Sequence, residues 1–310
     1  MKVASPILAL YVLCILRTCK CGDDKDAESK TCDHHGEEEC TEQDIYPGIN
    51  VPSEPKHFVT LDISDMDPQV CRVIDTYMGR VSVRVYIIHP KFLVKKVMDR
   101  NTEVWEGIAE DHCVYMVTFL KSSKPKIVLL RVKETMGSYQ VFRKFKSGNG
   151  CYSSSGGWYP SVKSSSKKIE RLSIFPCKTR KFALDISLDE GNDKYRVIKP
   201  EYDTIAVRYY VPKSGYAIGR IKEGNQVIGQ LKDDFTCYLC EFFSLENYAL
   251  LRVHTERNYR SWLCWYERVD GQWRDVEEES FIEDLHRIRL SARLSKYSGA
   301  ECKSTPTSPH

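Results

Sequence analysis

The sequence predicts a mainly β protein: two tandem antiparallel β domains, sandwich- or barrel-like meanders, with one C-terminal amphipathic helix. Three observations carry this. Ordered, collinear matches link two halves of the chain at offsets of 124 falling to 121 residues. Inside each half, apolar and polar residues alternate with the two-residue period of a strand. After Trp273 that period gives way to the spacing of an amphipathic helix.

Residues 1–21 read as a signal peptide. Lys2 supplies the positive start, and Val3–Leu16 is a nearly unbroken apolar run of 14 residues. A membrane-spanning helix needs roughly 20. Cys19 and Cys21 fit the −3 and −1 positions of a cleavage site. No later segment is long and apolar enough to span a bilayer, so the expectation is a secreted, soluble mature chain. Cleavage would leave ten of the 13 cysteines: Cys32, Cys40, Cys71, Cys113, Cys151, Cys177, Cys237, Cys240, Cys264 and Cys302. An even number in an oxidising compartment points to disulfide or structural roles, with the pairing open. The chain has no Asn-x-Ser/Thr acceptor.

Residues 22–56 form an acidic leader. They hold 11 acidic and 3 basic side chains, a net of −8, while residues 1–21 carry +3. With +3 for the whole chain, residues 57–310 carry +8. Self-repelling charge and Pro47, Pro52 and Pro55 predict disorder here. Cys32 and Cys40 can close a loop around Asp33-His34-His35, but adjacent histidines point apart and match no standard zinc spacing.

The repeat occupies 57–152 and 182–292. Phe58–Ser64 recurs as Phe182–Ser187, and Arg72-Val73-Ile74 as Arg196-Val197-Ile198. Val81–Tyr86 recurs as Ile205–Tyr210, Asn101 as Asn225, and Cys113 as Cys237. Leu129–Val132 recurs as Leu250–Val253, and Tyr152 falls on Trp273. The lost residues belong in the Lys121–Pro125 loop, where length changes cost little. Seven or eight strands per copy are expected, with Val83 and Val207 buried and Arg84 and Arg208 on the opposite face. Each copy is complete and is expected to fold alone. Between them, 153–181 is a Ser/Gly-rich linker with seven basic residues against one acid, Glu170. A helix over 277–292 would lay Phe281, Leu285 and Ile288 on the second domain, and 293–310 is a flexible tail.

The Leu-Asp-Ile-Ser opening, the Val-x-Val-Arg-x-Tyr strand, Trp105 and the closing aromatic-Gly-x-aromatic hairpin resemble the FAINT domain, "frequently associated in Theileria". Cys21-Gly22-Asp23-Asp24-Lys25 likewise resembles secreted proteins of piroplasm parasites. The resemblance covers about 57–152 and 182–274. It implies secretion towards the host cell or parasite surface and no enzyme activity. Copy two has Ile228 where copy one has Trp105.

Chemistry is sparse. Cys237-x-x-Cys240 sits in a strand-like run, where residues three apart face opposite sides, so a structural role is expected. Cys113 and Cys237 are equivalent, as buried thiols or as repeated disulfides. Among His57, His89, His112, His254 and His286 none recurs between the copies, and His112 points away from its neighbour Cys113. Asp62 and Asp185 recur at strand ends as turn formers. No phosphate loop, zinc-protease pair or nucleophile elbow occurs. No cofactor and no metal is expected. The expected function is a secreted binding module that meets a host or parasite-surface protein, with no nucleic-acid partner. The alternatives are a secreted enzyme with a concealed site, or a polyanion or acidic-lipid binder using the +8 of 57–310.

Overall fold

A computed structural model describes residues 57–89, 91–134, 137–147, 156–161, 165–173, 179–200 and 205–298. The signal peptide, the acidic leader, and Cys32, Cys40, Cys151, Tyr152, Cys177 and Cys302 lie outside the described residues.

The described residues are mainly β, in two nine-stranded sheets. The first is built from β1 (His57–Asp62), β2 (Cys71–Met78), β3 (Val81–Ile88), β4 (Phe92–Asp99), β5 (Thr102–Glu106), β6 (His112–Lys121), β7 (Lys124–Glu134), β8 (Gly137–Lys146) and β9 (Gly157–Pro160). A short helix α1 (Ser165–Glu170) follows. The second contains β10 (Arg180–Asp185), β11 (Tyr195–Ile198), β12 (Ala206–Pro212), β13 (Tyr216–Glu223), β14 (Gln226–Gln230), β15 (Thr236–Leu245), β16 (Tyr248–Arg257), β17 (Arg260–Val269) and β18 (Gln272–Val276). Helix α2 (Glu278–Ser298) closes the fold.

The strand orders match. One runs β1-β4-β6-β7-β8-β9 and the other β10-β13-β15-β16-β17-β18, each with a side hairpin, β2–β3 or β11–β12, paired to the central strand. Pairing is antiparallel throughout except that β1 lies parallel to β4, and β10 to β13. Alternation alone cannot reveal strand direction, so this exception was invisible in the sequence. Details repeat as well. Asp62 accepts bonds from the Ser64 amide (2.8 Å) and the Arg100 amide (3.0 Å). Asp185 accepts from the Ser187 amide (3.1 Å) and the Gly224 amide (3.1 Å). Arg100 and Gly224 both sit at left-handed φ, 56° and 57°. The recurring Asp therefore ties the first strand to the β4–β5 or β13–β14 turn.

Three expectations about the repeat need correction. The β6–β7 and β15–β16 turns are both two residues long, so the contraction is not in the Lys121–Pro125 turn. It is one residue, Lys126, a bulge between the pairs Phe119–Ile127 and Leu120–Pro125. Leu129 stands opposite Val117 as Arg252 stands opposite Glu241, so Leu129 corresponds to Arg252 and not Leu250. The sequence match slipped by two residues, which leaves every side chain on its own face. Second, Trp105 corresponds to Gly229, because Val97 pairs with Trp105 as Ile221 pairs with Gly229. A Cβ on Gly229 would lie 2.9 Å from the Tyr266 hydroxyl, so an aromatic from the distant strand β17 has taken the space. Third, the partner of Trp273 is Trp158, placed in β9 and so in the first sheet. Trp158 Nε1 donates to Asp99 (3.1 Å) and Trp273 Nε1 to Glu223 (2.8 Å), at matching ends of β4 and β13.

Each copy has its own core. Leu61, Tyr86, Val94, Val97, Met116, Leu130 and Val132 belong to the first. Leu184, Tyr210, Ile218, Ile221, Phe242 and Leu251 belong to the second. A third cluster spans both sheets: Ile74, Val83, Val117, Phe119 and Leu129 meet Val207, Tyr238, Phe243, Leu250 and the α2 residues Phe281, Leu285, Ile288 and Ala292. Val83 and Val207 thus occupy equivalent buried places, while Arg84 pairs outward with Asp75 (2.8 Å) and Arg208 with Asp189. The copies share a core because their central strands are apolar on both faces. Helix α2 covers that shared layer rather than the second copy alone, and it runs to Ser298, into the expected tail. Its first turn pairs with the first copy through Arg131–Glu278 (3.1 Å) and Lys133–Glu279 (3.2 Å).

Candidate functional site

Five of the ten expected cysteines are described, and none of the five is in a disulfide. Cys71, Cys113, Cys237 and Cys240 are buried and Cys264 is half-buried. Cys113 pairs across to Val94 as Cys237 does to Ile218, and each thiol donates to the carbonyl two residues on, at 3.3 and 3.2 Å. These equivalent cysteines are therefore thiols at one repeated site. Cys237 and Cys240 do not face apart as the strand period requires. A bulge at Tyr238 turns both inward, with their sulfurs 3.4 Å apart. Burial pushes the Cys113 thiol up to about 12 and Cys240 well above its ordinary value. Such thiols are poor nucleophiles. His112 points to the Glu110 carbonyl (3.0 Å) while Cys113 points into the core.

A polar group lies inside the shared core, and sequence reading missed it. Glu241, fully buried on β15, takes two bonds from Arg252 on β16, both 2.8 Å, and one from His254 Nε2. Burial by itself would raise the Glu241 carboxyl, but Arg252 and His254 hold it down to about 2. Burial lowers His254 despite Glu241, favouring the neutral ring. A carboxylate only accepts, so Nε2 carries the proton, and buried Nδ1 is an acceptor with no donor among the described residues. Tyr115 from the first copy packs at a tilt against His254 (4.9 Å between ring centres) and its hydroxyl bonds that of Tyr238 (2.7 Å), which bonds Ser261 Oγ (2.6 Å). The signal was a lone acid in an apolar strand, Cys237-Tyr-Leu-Cys-Glu-Phe-Phe243. Glu241 and His254 are closed off from solvent while Arg252 is half-buried, and the group serves the packing of the copies.

Next to it the junction opens outward. A cleft of about 520 Å³ is lined by β8, Pro160 at the end of β9 and Ser161 on one side, with Arg260 and Trp262 of β17 on the other. From the first copy come Tyr139, Phe142 and Arg143. Gln140 bridges the copies at its base through the Ser261 carbonyl. Trp262 is held edge-on by Phe235, at 5.3 Å. Tyr139 is fixed by a bond from its hydroxyl to Asp111 (2.8 Å). The residues lining the cleft include two arginines, Arg143 and Arg260, and no acid. None of it was legible from a motif, because its parts lie about 120 residues apart and meet only through the packing of the copies.

Residues 60–135 match the FAINT domain, described as a domain of unknown function, DUF529. No curated protein and no solved structure matches the chain. No helix among the described residues is long and apolar enough to cross a membrane.

Proposed function

We propose that the chain is a secreted, non-catalytic binding protein acting between a parasite and its host, and that it recognises its partner through the cleft where the two copies meet. The first copy is a FAINT domain over 60–135, and the second is read as another because its strand order is the same. The observation that carries the reading is the cleft itself, a concave opening at the junction of the copies whose volume is within the range of ligand sites and whose lining residues include Gln140, Phe142, Arg260 and Trp262. Arg260 and Trp262 are exposed on one face of β17, and Trp and Arg are among the residue types that dominate recognition surfaces. Export is supported by Lys2 and the Val3–Leu16 run. The test is capture from host-cell surfaces by the wild-type chain and by a Trp262→Ala/Arg260→Gln variant of unchanged thermal stability. A partner held by the first and lost by the second supports the reading. A partner held equally by both places recognition elsewhere.

A further inference from the structure

Lysines of the first copy collect at one end of its sheet. The tight turn Ser122-Ser123, both residues at left-handed φ, holds Lys121 of β6 directly opposite Lys124 of β7. Lys144 of β8 pairs with Ile127 on one side and Tyr159 on the other, and Lys146 follows it on the same face. Val83 pairs with Phe119, which sets the β2–β3 turn and its Arg80 beside Lys121. Neighbouring strands lie about 4.8 Å apart, so these bases form a band across β3, β6, β7 and β8. Helix α1 is docked at the same end. Glu170 pairs with Arg80 (3.6 Å), Ser173 Oγ donates to the Arg80 carbonyl (3.4 Å), and Ile169 is buried in the shared core. That leaves Lys167 and Arg171 exposed, one turn apart on the outer face of the helix.

Glu170 is the one acid in residues 121–126, 144–147, 157–161 and 165–173. Lys121, Lys124, Lys144, Lys146, Lys167 and Arg171 make no ion pair among the described residues. The second copy shows that the strands do not need these charges. With Leu129 in the place of Arg252, the four sheet lysines fall on Leu245, Tyr248, Glu267 and Val269. The Lys144–Tyr159 pair there becomes Glu267–Arg274, a salt bridge. Like charges gathered without acids repel one another until a partner neutralises them.

We propose that this end of the first copy binds a linear sulfated polysaccharide. The inference does not rest on the cleft, and none of these residues lines it. A band of charge suits the successive anions of a chain rather than one small ion. Lysine is a compact charge on a flexible stem, which follows sulfates without the fixed fork of arginine. Single-stranded nucleic acid gains from open rings on which bases stack. The exposed ring here, Tyr159, has the Lys146 ammonium 4.8 Å from its centre. An acidic bilayer gains from apolar side chains that enter it. Tyr159 is the one exposed large hydrophobic residue in these segments.

Titration calorimetry of the full chain with a size-defined heparin oligosaccharide tests this. A thymidine homopolymer of matched charge and phosphatidylcholine vesicles containing phosphatidylserine run beside it. Saturable binding of the oligosaccharide is expected, with log K falling against log salt at a slope of about −4 for roughly five contacts. Lys121→Gln/Lys124→Gln and Lys144→Gln/Lys146→Gln should each weaken it about tenfold or more and flatten the slope by about 1.5, at unchanged melting temperature. Lys91→Gln/Arg100→Gln removes the same charge at the two ends of β4, which meets β6 at Cys113, the opposite end of that strand from Lys121. It should change binding by under about twofold, because charge beyond a Debye length is screened. No saturation by the oligosaccharide, no loss in the lysine pairs, or equal loss in the β4 variant overturns the proposal. Tighter binding of the homopolymer or the vesicles overturns it too.

Discussion

At the scale of single residues, the second copy differs from the first where the two press together. Val117 and Leu129 in the shared core are replaced by Glu241 and Arg252, an ion pair in an apolar layer. Buried charge is tolerable only while it is paired. Arg252→Ala should therefore cost about 3–5 kcal/mol, because it strands Glu241 without its strongest partner. Replacing both by the first copy's residues, Glu241→Val with Arg252→Leu, should recover most of that loss, and chemical denaturation of the three chains checks it. The same site fixes the response to acid. Glu241 and His254 both have lowered values in the fold, so the unfolded chain takes up protons first as pH falls. Their stabilisation is full above the ordinary histidine range. It declines as His254 and then Glu241 are protonated, the latter down to about 2. His254→Gln should remove the first step, near neutrality, and leave the second in a plot of unfolding free energy against pH. The buried thiols give a third outcome. Cys71, Cys113, Cys237 and Cys240 should resist alkylation in the native protein and react together on unfolding, as followed by mass spectrometry.

At the scale of elements, what the sequence revealed depended on whether a signal was local. Strands and their inward faces were legible because alternation is a property of neighbours, as Val81–Tyr86 and Ile205–Tyr210 show. The C-terminal helix was legible from the spacing of Phe281, Leu285 and Ile288. Pairing between distant elements was not. The parallel β1–β4 contact, the match of Trp158 to Trp273 across an insertion, and the exchange of Trp105 for Tyr266 depend on neighbours far away in sequence. The Tyr238 bulge misled differently, because one extra residue cancels the strand period and brings Cys237 and Cys240 to one side. Helix α2 supplies its own test. Asp284 on the helix is raised by burial and by the Glu267 carboxylate on β17, with Tyr248 and Arg287 opposing. Its charged form is therefore disfavoured in the fold, and the stability it contributes is lost as pH rises through its raised value. Tyr248 and Arg274 hold Glu267 ionised, at 2.8 and 2.5 Å. Asp284→Asn should raise the melting temperature at neutral pH and flatten its decline as pH rises from the ordinary carboxylate range through the raised value, while Phe281→Ala should cost about 3–5 kcal/mol.

At the scale of the whole molecule, two sheets of the same strand order finish each other. Strands β6 and β7 carry apolar residues in near-continuous runs, Met116 to Leu120 and Ile127 to Leu130, and β15 and β16 do likewise. Such runs mark strands buried on both faces, a pattern that alternation at their edges had masked. One face turns to the copy's private core and the other to its twin. A copy expressed alone, as 57–161 or 179–298, would place half of that surface in water. For the first copy this bares Val83, Val117, Phe119 and Leu129 together, with Tyr115 left without the Tyr238 hydroxyl. Each large side chain so exposed forfeits about 1.5–3 kcal/mol, and a patch of this kind drives association. The isolated copies should therefore aggregate or bind hydrophobic dye, and mixing them should restore a soluble one-to-one complex by sedimentation. In the intact chain, Val207→Asp should lower the unfolding midpoint of both copies in a single transition, because Val207 lies in the layer they share. Two separate transitions in that variant, with the first copy unmoved, would show that the private cores suffice and that the common layer is only a contact.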